Sequence, residues 1–158
     1  MNTSKPILLS IAFTCFALIG VAVYLQVAEH MMPCPLCIIQ RYLFIAVGLI
    51  CLIAAFAPSS KAAAGAGIAA LFAVGGVGTA AWHIWVQANP EASCGIDPLE
   101  TSLNKIPPAN WLPTLFKADG LCTTPTPPIL GLSIPQWSAI WFAVFALTLG
   151  WLAFRRGR

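Results

Sequence analysis

The chain has 158 residues, of which 59% are hydrophobic and 8% charged, and its formal net charge is +3. Soluble domains carry roughly 25% charged residues, so the composition excludes an ordinary soluble domain and predicts a single membrane domain over residues 1–158. No basic face with interleaved aromatics accompanies the positive charge, which excludes a nucleic-acid footprint.

Crossing a hydrocarbon core of about 30 Å takes roughly 20 helical residues. The first such run covers residues 7–28 and has only Lys5 in front of it. A secretory signal has a shorter apolar core and a small-residue cleavage site, so this run is read as an uncleaved span.

Next comes "CPLCIIQR", residues 34–41, which places Cys34 and Cys37 in a C-x-x-C and Arg41 four residues further on. The apolar run from Tyr42 to Pro58 reaches full length only by taking in part of this motif, giving a second span of 38–58. Pro33 and Pro35 suit the start of a helix, where a missing N–H costs little. Cys37 then falls in or near the first turn, where the positive helix end stabilises a thiolate. Arg41 shares a helix face with Cys37, so its guanidinium is placed to stabilise a thiolate there or a negative group beside it. A charge inside a span is expensive and usually functional; the alternative is an arginine that snorkels to the interface and anchors the helix.

The third span is 62–87. Its "GAGIAALFAVGGVG" has no preceding strand and reads as close helix packing rather than a nucleotide loop. His83, in "AAWHIWVQ", lies about one turn inside the end of this span, at the depth of Arg41. Flanked by Trp82 and Trp85, it reads either as half of a polar pair that binds the head of a lipid-soluble ligand, or as part of an ordinary interfacial tryptophan belt.

Residues 88–133 carry Cys94, Cys122 and many prolines. Only "NWLPTLFKA" is apolar enough for a short surface-lying helix, with Trp111, Leu112, Leu115 and Phe116 meeting the membrane. A fourth span, 134–154, follows. The fold class is therefore an all-α four-helix transmembrane bundle with two exterior loops, about 29–37 and 88–133.

With four spans, Lys5, Lys61, Arg155, Arg156 and Arg158 share one side with no acidic residue, which marks the cytoplasmic face and puts both termini there. Glu29, Glu91, Asp97, Glu100 and Asp119 lie opposite, with Lys105 and Lys117. Cys34, Cys37, Cys94 and Cys122 then face an oxidising compartment.

Cys15 and Cys51 lie within spans and read as small buried hydrophobes; Cys51 is roughly 21 Å along the helix from Cys37 at 1.5 Å per residue. The exterior four are either staples or a redox relay. In the chain-entropy model, closing Cys34 to Cys37 contributes roughly 2 kcal/mol and closing Cys94 to Cys122 roughly 3.5 kcal/mol, so the short bridge is a poor staple. Four dispersed cysteines, with His30 as the one exterior histidine, do not make a zinc pattern, and no metal is expected.

The C-x-x-C with Arg41 behind it, the intramembrane His83, the paired loop cysteines and the ending "SIPQWSAIWF" together resemble the DsbB family of bacterial disulfide bond formation proteins, from about Ile7 to Phe154. The resemblance implies a four-helix inner-membrane enzyme that reoxidises DsbA, a soluble periplasmic oxidase of thioredoxin fold, and passes the electrons to ubiquinone or menaquinone. It implies that Cys94 is attacked by the partner's thiolate, that Cys122 is released and exchanges through Cys34, and that Cys37 faces the quinone. Arg41 and His83 match the family's quinone-site positions. Two other readings compete: a tetraspan structural protein whose loops are held by two disulfides, and an enzyme of the vitamin K epoxide reductase type, in which the active C-x-x-C lies late in the chain.

Overall fold

The computed structural model describes residues 4–92, 98–124 and 128–156. Four of its helices are long and apolar enough to cross a membrane: α1 (Ser4–Ala28), α2 (Pro35–Phe56), α3 (Ser59–Ala88) and α7 (Ile134–Arg156). Between α3 and α7 come a 3-10 turn at Pro90–Ala92 and three short helices, α4 (Pro98–Asn104), α5 (Pro107–Trp111) and α6 (Pro113–Phe116). The protein is an all-α four-helix bundle, with no strand among the described residues.

Small residues decide how closely the helices approach. On α3, Ala62, Ala66, Ala69, Ala73, Gly76 and Ala80 are all buried, at alternating steps of four and three residues. This is one continuous seam along the helix, and side chains no larger than a methyl let neighbouring backbones come close in a lipid setting. Phe142 of α7 fills the space over Gly76, where a Cβ would overlap its ring. The Phe142 ring also stacks on Phe44 of α2, with centroids 3.9 Å apart. His83 continues the seam three residues beyond Ala80, so the same periodicity that packs α3 turns a histidine into the bundle.

α2 buries residues on two sides, Ile38, Gln40, Arg41, Phe44, Val47, Gly48, Cys51, Ala54 and Ala55 among them, because α1 and α3 flank it. α1 contributes Leu8, Ile11, Ala12, Cys15 and Ile19 to the shared core, where Cys15 and Cys51 are fully buried. Phe13, Leu71, Leu147 and Phe154 are exposed, as expected of surfaces that meet lipid. α3 packs most extensively on α7 and α2, and α2 on α1, whereas α1 and α7 share little contact among the described residues. The gap between α1 and α7 becomes important at the site.

The surface-lying helix expected in "NWLPTLFKA" is broken. Pro113 stops α5 and starts α6, and the change of direction turns Phe116 inward onto Tyr42, with ring centroids 4.7 Å apart. Leu115 packs against the main core, so of the four residues expected at the membrane only Trp111 and Leu112 point outward.

Candidate active site

Cys34 is the N-cap of α2, with extended backbone at φ −80° and ψ 163°, and Pro35 takes the first helical position, where its missing N–H is no loss. This places Cys37 in the first turn and brings its Sγ to 3.4 Å from that of Cys34. From α3, His83 Nε2 lies 3.5 Å from Cys34 Sγ. Its other ring nitrogen is 3.4 Å from the side-chain amide of Gln40, one turn further along α2. Cys34 and His83 are 4% and 2% exposed, so the thiol–imidazole pair is shut away from bulk solvent.

Cys122 is delivered to the same point by the chain ahead of it. The backbone N–H groups of Asp119 and Gly120 both donate to the Pro33 carbonyl at 3.1 Å. A Cβ on Gly120 would overlap the Met32 carbonyl, so only glycine permits this approach. Asn104 of α4 holds the preceding residue through both backbone groups, accepting from Ala118 N–H at 2.9 Å and donating to Ala118 O at 2.8 Å. Cys122 is thereby buried in a small cluster with Cys34, Leu36 and Val86. Hydrogen bonds to Cys122 and Cys37, together with burial, push the Cys34 thiol up, whereas receiving the Cys34 hydrogen bond and that of the Leu36 N–H holds Cys122 below the usual thiol range.

Cys37 faces the other way as well. It lines a cavity of about 260 Å³ bounded by Leu18, Ala22 and Gln26 of α1, Gln40, Arg41 and Phe44 of α2, and Trp137, Ser138 and Trp141 of α7. The cavity occupies the gap left between α1 and α7, and its walls are apolar except for a few groups that converge near Cys37. Arg41 is the charged one. It donates to Gln26 Oε1 at 2.7 Å, to Leu115 O at 2.9 Å and to Thr114 O at 3.4 Å, and it is 6% exposed. Among the described residues no carboxylate pairs with it. It does not snorkel to water; backbone carbonyls of α6 and an amide of α1 replace the water it has lost.

Of the six residues singled out from the sequence, Cys34, Cys37, Cys122 and His83 meet at one point and Arg41 stands at the adjoining cavity wall. Cys94 lies outside the described residues. His83 sits behind the cavity rather than on it, against Cys34, and Gln40 is the side chain that touches both His83 and the cavity. Trp82 and Trp85 stack on each other with centroids 5.0 Å apart and point outward, while the tryptophans that line the cavity are Trp137 and Trp141. Gln26, Gln40 and the α7 tryptophans had no signal in a sequence rich in tryptophan and free of informative polar spacing.

The donor atoms of Cys34, Cys37 and His83 all lie within 4.8 Å of one another, a grouping able to hold a metal ion. The linear spacing hid it, because His83 joins the C-x-x-C only when α3 packs on α2.

A four-span bundle with clustered thiols beside a lipid-side cavity defines a class of membrane disulfide-handling protein. The family model for the disulfide bond formation protein DsbB matches residues 4–152. A disulfide bond formation protein B from Herminiimonas arsenicoxydans is 56% identical over 156 residues, 99% of each chain. Proteins of the same name from Cupriavidus metallidurans and Ralstonia nicotianae are 49% and 46% identical, covering 92% and 98% of this chain and 90% and 97% of theirs. The chain belongs to the DsbB family: it is a multi-pass membrane protein with a disulfide oxidoreductase role in disulfide bond formation.

Proposed function

We propose that this protein is a bacterial inner-membrane dithiol:quinone oxidoreductase, a single four-span domain that reoxidises a periplasmic DsbA-type oxidase of thioredoxin fold and delivers the electrons to ubiquinone or menaquinone. The observation that carries the reading is the double position of Cys37, which touches Cys34 on one side and lines the α1–α7 cavity on the other. The charge distribution supports an orientation with both termini cytoplasmic and the cysteine-bearing loops periplasmic.

In this mechanism a thiolate of the reduced partner attacks Cys94 of a Cys94–Cys122 disulfide, and Cys122 leaves as a thiolate. The partner's second thiol resolves the mixed disulfide, which leaves the partner oxidised and Cys94 reduced. Cys122 then attacks Cys34 of a Cys34–Cys37 disulfide and releases Cys37 as a thiolate. The closeness of Cys122 to Cys34 supports that direction. Cys37 passes the electron pair on, and Cys94, losing its proton, closes again on Cys122 while Cys34 recovers Cys37.

The cavity residues suit a quinone: apolar walls for the ring, amides of Gln26 and Gln40 to orient its oxygens, and an opening between helices for an isoprenoid tail. When bound, a quinone accepts two electrons and two protons. Arg41 sits where negative charge develops and favours it electrostatically. His83, hydrogen-bonded between Cys34 and Gln40, is the group placed to move a proton between the thiols and the cavity.

The test is anaerobic quinone reduction, followed by ultraviolet absorbance, with purified protein and a reduced DsbA-type partner. Turnover is expected with at least one quinone class and is expected to vanish in Cys37→Ser. Folded protein with intact loop disulfides that turns over neither quinone would overturn the assignment.

A further inference from the structure

The thiol–imidazole cluster has a geometry that disulfide exchange does not require. Exchange needs two sulfurs in line with a third, yet here an imidazole nitrogen is held 3.5 Å from Cys34 Sγ while the two thiols are 3.4 Å apart, and all three donors lie within 4.8 Å of one another. Zinc binds thiolate at about 2.3 Å and imidazole at about 2.0–2.1 Å, so the edges of a tetrahedral site are about 3.8 Å between sulfurs and about 3.5 Å between sulfur and nitrogen. Both separations at Cys34 need to adjust by only a few tenths of an ångström, and the third edge, Cys37 to His83, lies within 4.8 Å. Cys122 lies outside this group of three donors but packs against Cys34 in the same pocket, so a shift of its segment would bring in the fourth donor.

We propose that the fully reduced relay binds one thiophilic divalent cation of the zinc class through Cys34, Cys37 and His83, with Cys122 completing the tetrahedron, and that the bound ion arrests the relay in its reduced form.

The chemistry balances without any change in the metal's oxidation state. Coordination displaces one proton from each ligating thiol and leaves the imidazole neutral. Two thiolates cancel the dication, and the further charge of a third is offset by Arg41, which stands at i+4 from Cys37 on the same helix face. His83 must offer the lone pair of Nε2, which requires its proton on Nδ1. A half-turn of the Gln40 amide presents its oxygen to that N–H, giving the ligand the outer hydrogen bond that metal-bound histidines normally have. The site exists only while the thiols are free, because a Cys34–Cys37 disulfide has no thiolate to offer. Binding is thus gated by redox state. Its regulatory consequence rests on the thiol–quinone reading above; the binding itself does not.

The experiment uses the full-length protein in detergent under argon, either reduced with a phosphine and desalted or left oxidised. Zinc is titrated against a chromophoric chelator, and cobalt(II) serves as the optical probe. Reduced protein is expected to take up one ion per chain with thiolate-to-cobalt absorption in the near ultraviolet and the intense visible bands of a tetrahedral site, and oxidised protein none. His83→Ala and Cys34→Ser are each expected to weaken binding by at least about tenfold, the effect that even outer-shell changes reach at metal sites. Cys122→Ser is expected to reduce the thiolate-to-cobalt absorption. An unchanged spectrum in that variant would overturn the fourth ligand, and equal uptake by reduced and oxidised wild-type protein would overturn the site, whether or not the variants fold.

Quinone turnover is measured on the same preparation without metal. Failure there with redox-gated binding intact would remove the proposed function and leave the site, whereas normal turnover with no gated binding would remove the site alone. Zinc added during turnover is expected to stop it, and a chelator to restore it; turnover unaffected by zinc at saturation would overturn the arrest.

Discussion

Arg41 reaches Gln26 of α1 and two carbonyls of α6 from a buried position on α2, so one guanidinium fastens three elements while its positive charge remains at the cavity wall. A planar fork can serve these acceptors at once, and an ammonium cannot. Arg41→Lys keeps the charge but gives up at least one charge-assisted hydrogen bond, worth about 1.5–3 kcal/mol. The expected outcome is a rise of roughly tenfold or more in the KM for quinone, with the partner still oxidised in a single turnover by the loop disulfide. Steady-state kinetics with varied quinone checks this, and an unchanged KM would show that the fork's geometry is irrelevant to the cavity. That Arg41 is a candidate site residue was readable from the sequence, since an arginine set inside an apolar span one turn beyond a C-x-x-C is costly and usually functional, and its burial at the cavity wall removes the snorkelling alternative. Its partners were not. Gln26 lies 15 residues upstream and Leu115 74 downstream, and nothing local in either neighbourhood announces a contact with α2.

At the scale of elements, α3 shows how packing and chemistry share one pattern. The seam of Ala62, Ala66, Ala69, Ala73, Gly76 and Ala80 runs straight into His83, so any change in the seat of α3 moves the imidazole relative to Cys34. Gly76 is the tightest point, because Phe142 is fully buried and already stacked on Phe44, with no free space for its ring. Gly76→Ala is expected to destabilise the bundle by about 1–3 kcal/mol, the usual cost of overpacking, measured as a lowered thermal midpoint in detergent. Gly78, where an added Cβ meets nothing, is the control: Gly78→Ala should not lower the midpoint and is expected to raise it slightly, since alanine is the better helix former by about 1 kcal/mol. Equal effects at the two positions would show that helix propensity, not the Phe142 contact, sets the result. The seam was legible as small-residue packing, and the start of α2 was legible from Pro33 and Pro35. The fate of "NWLPTLFKA" was not, because Pro113 is compatible both with a helix that continues after a kink and with two helices that diverge. Tertiary contact with Tyr42 decides between them. Likewise Trp82 with Trp85 and Trp137 with Trp141 look alike in sequence, and only the neighbours of α3 and α7 turn one pair outward and the other onto the cavity.

Across the whole molecule, the helices pack in the order α1, α2, α3, α7 and leave α1 and α7 apart, so the cavity opens sideways between two helices whose outer faces are apolar. The thiols reach it from the opposite direction, where the segment carrying Cys122 is clamped on Pro33. On the proposed reading the two substrates take separate approaches, a soluble dithiol from the loops and a lipid-soluble acceptor through the α1–α7 gap, with Cys37 where the routes meet. This separation has a consequence for mutants. Ala22 of α1 lines the cavity away from every thiol contact described above. An indole there would occupy the space between α1 and α7 without touching Cys34, Cys122 or His83. Ala22→Trp is expected to raise the KM for quinone severalfold while the first equivalent of reduced partner is oxidised at the wild-type rate, because that step draws on the disulfides already present. Stopped-flow oxidation of the partner beside steady-state quinone reduction separates the two. A slowed first turnover would mean that the cavity and the thiol cluster are mechanically coupled, and an unchanged KM would mean that the acceptor reaches Cys37 by another path than the α1–α7 gap.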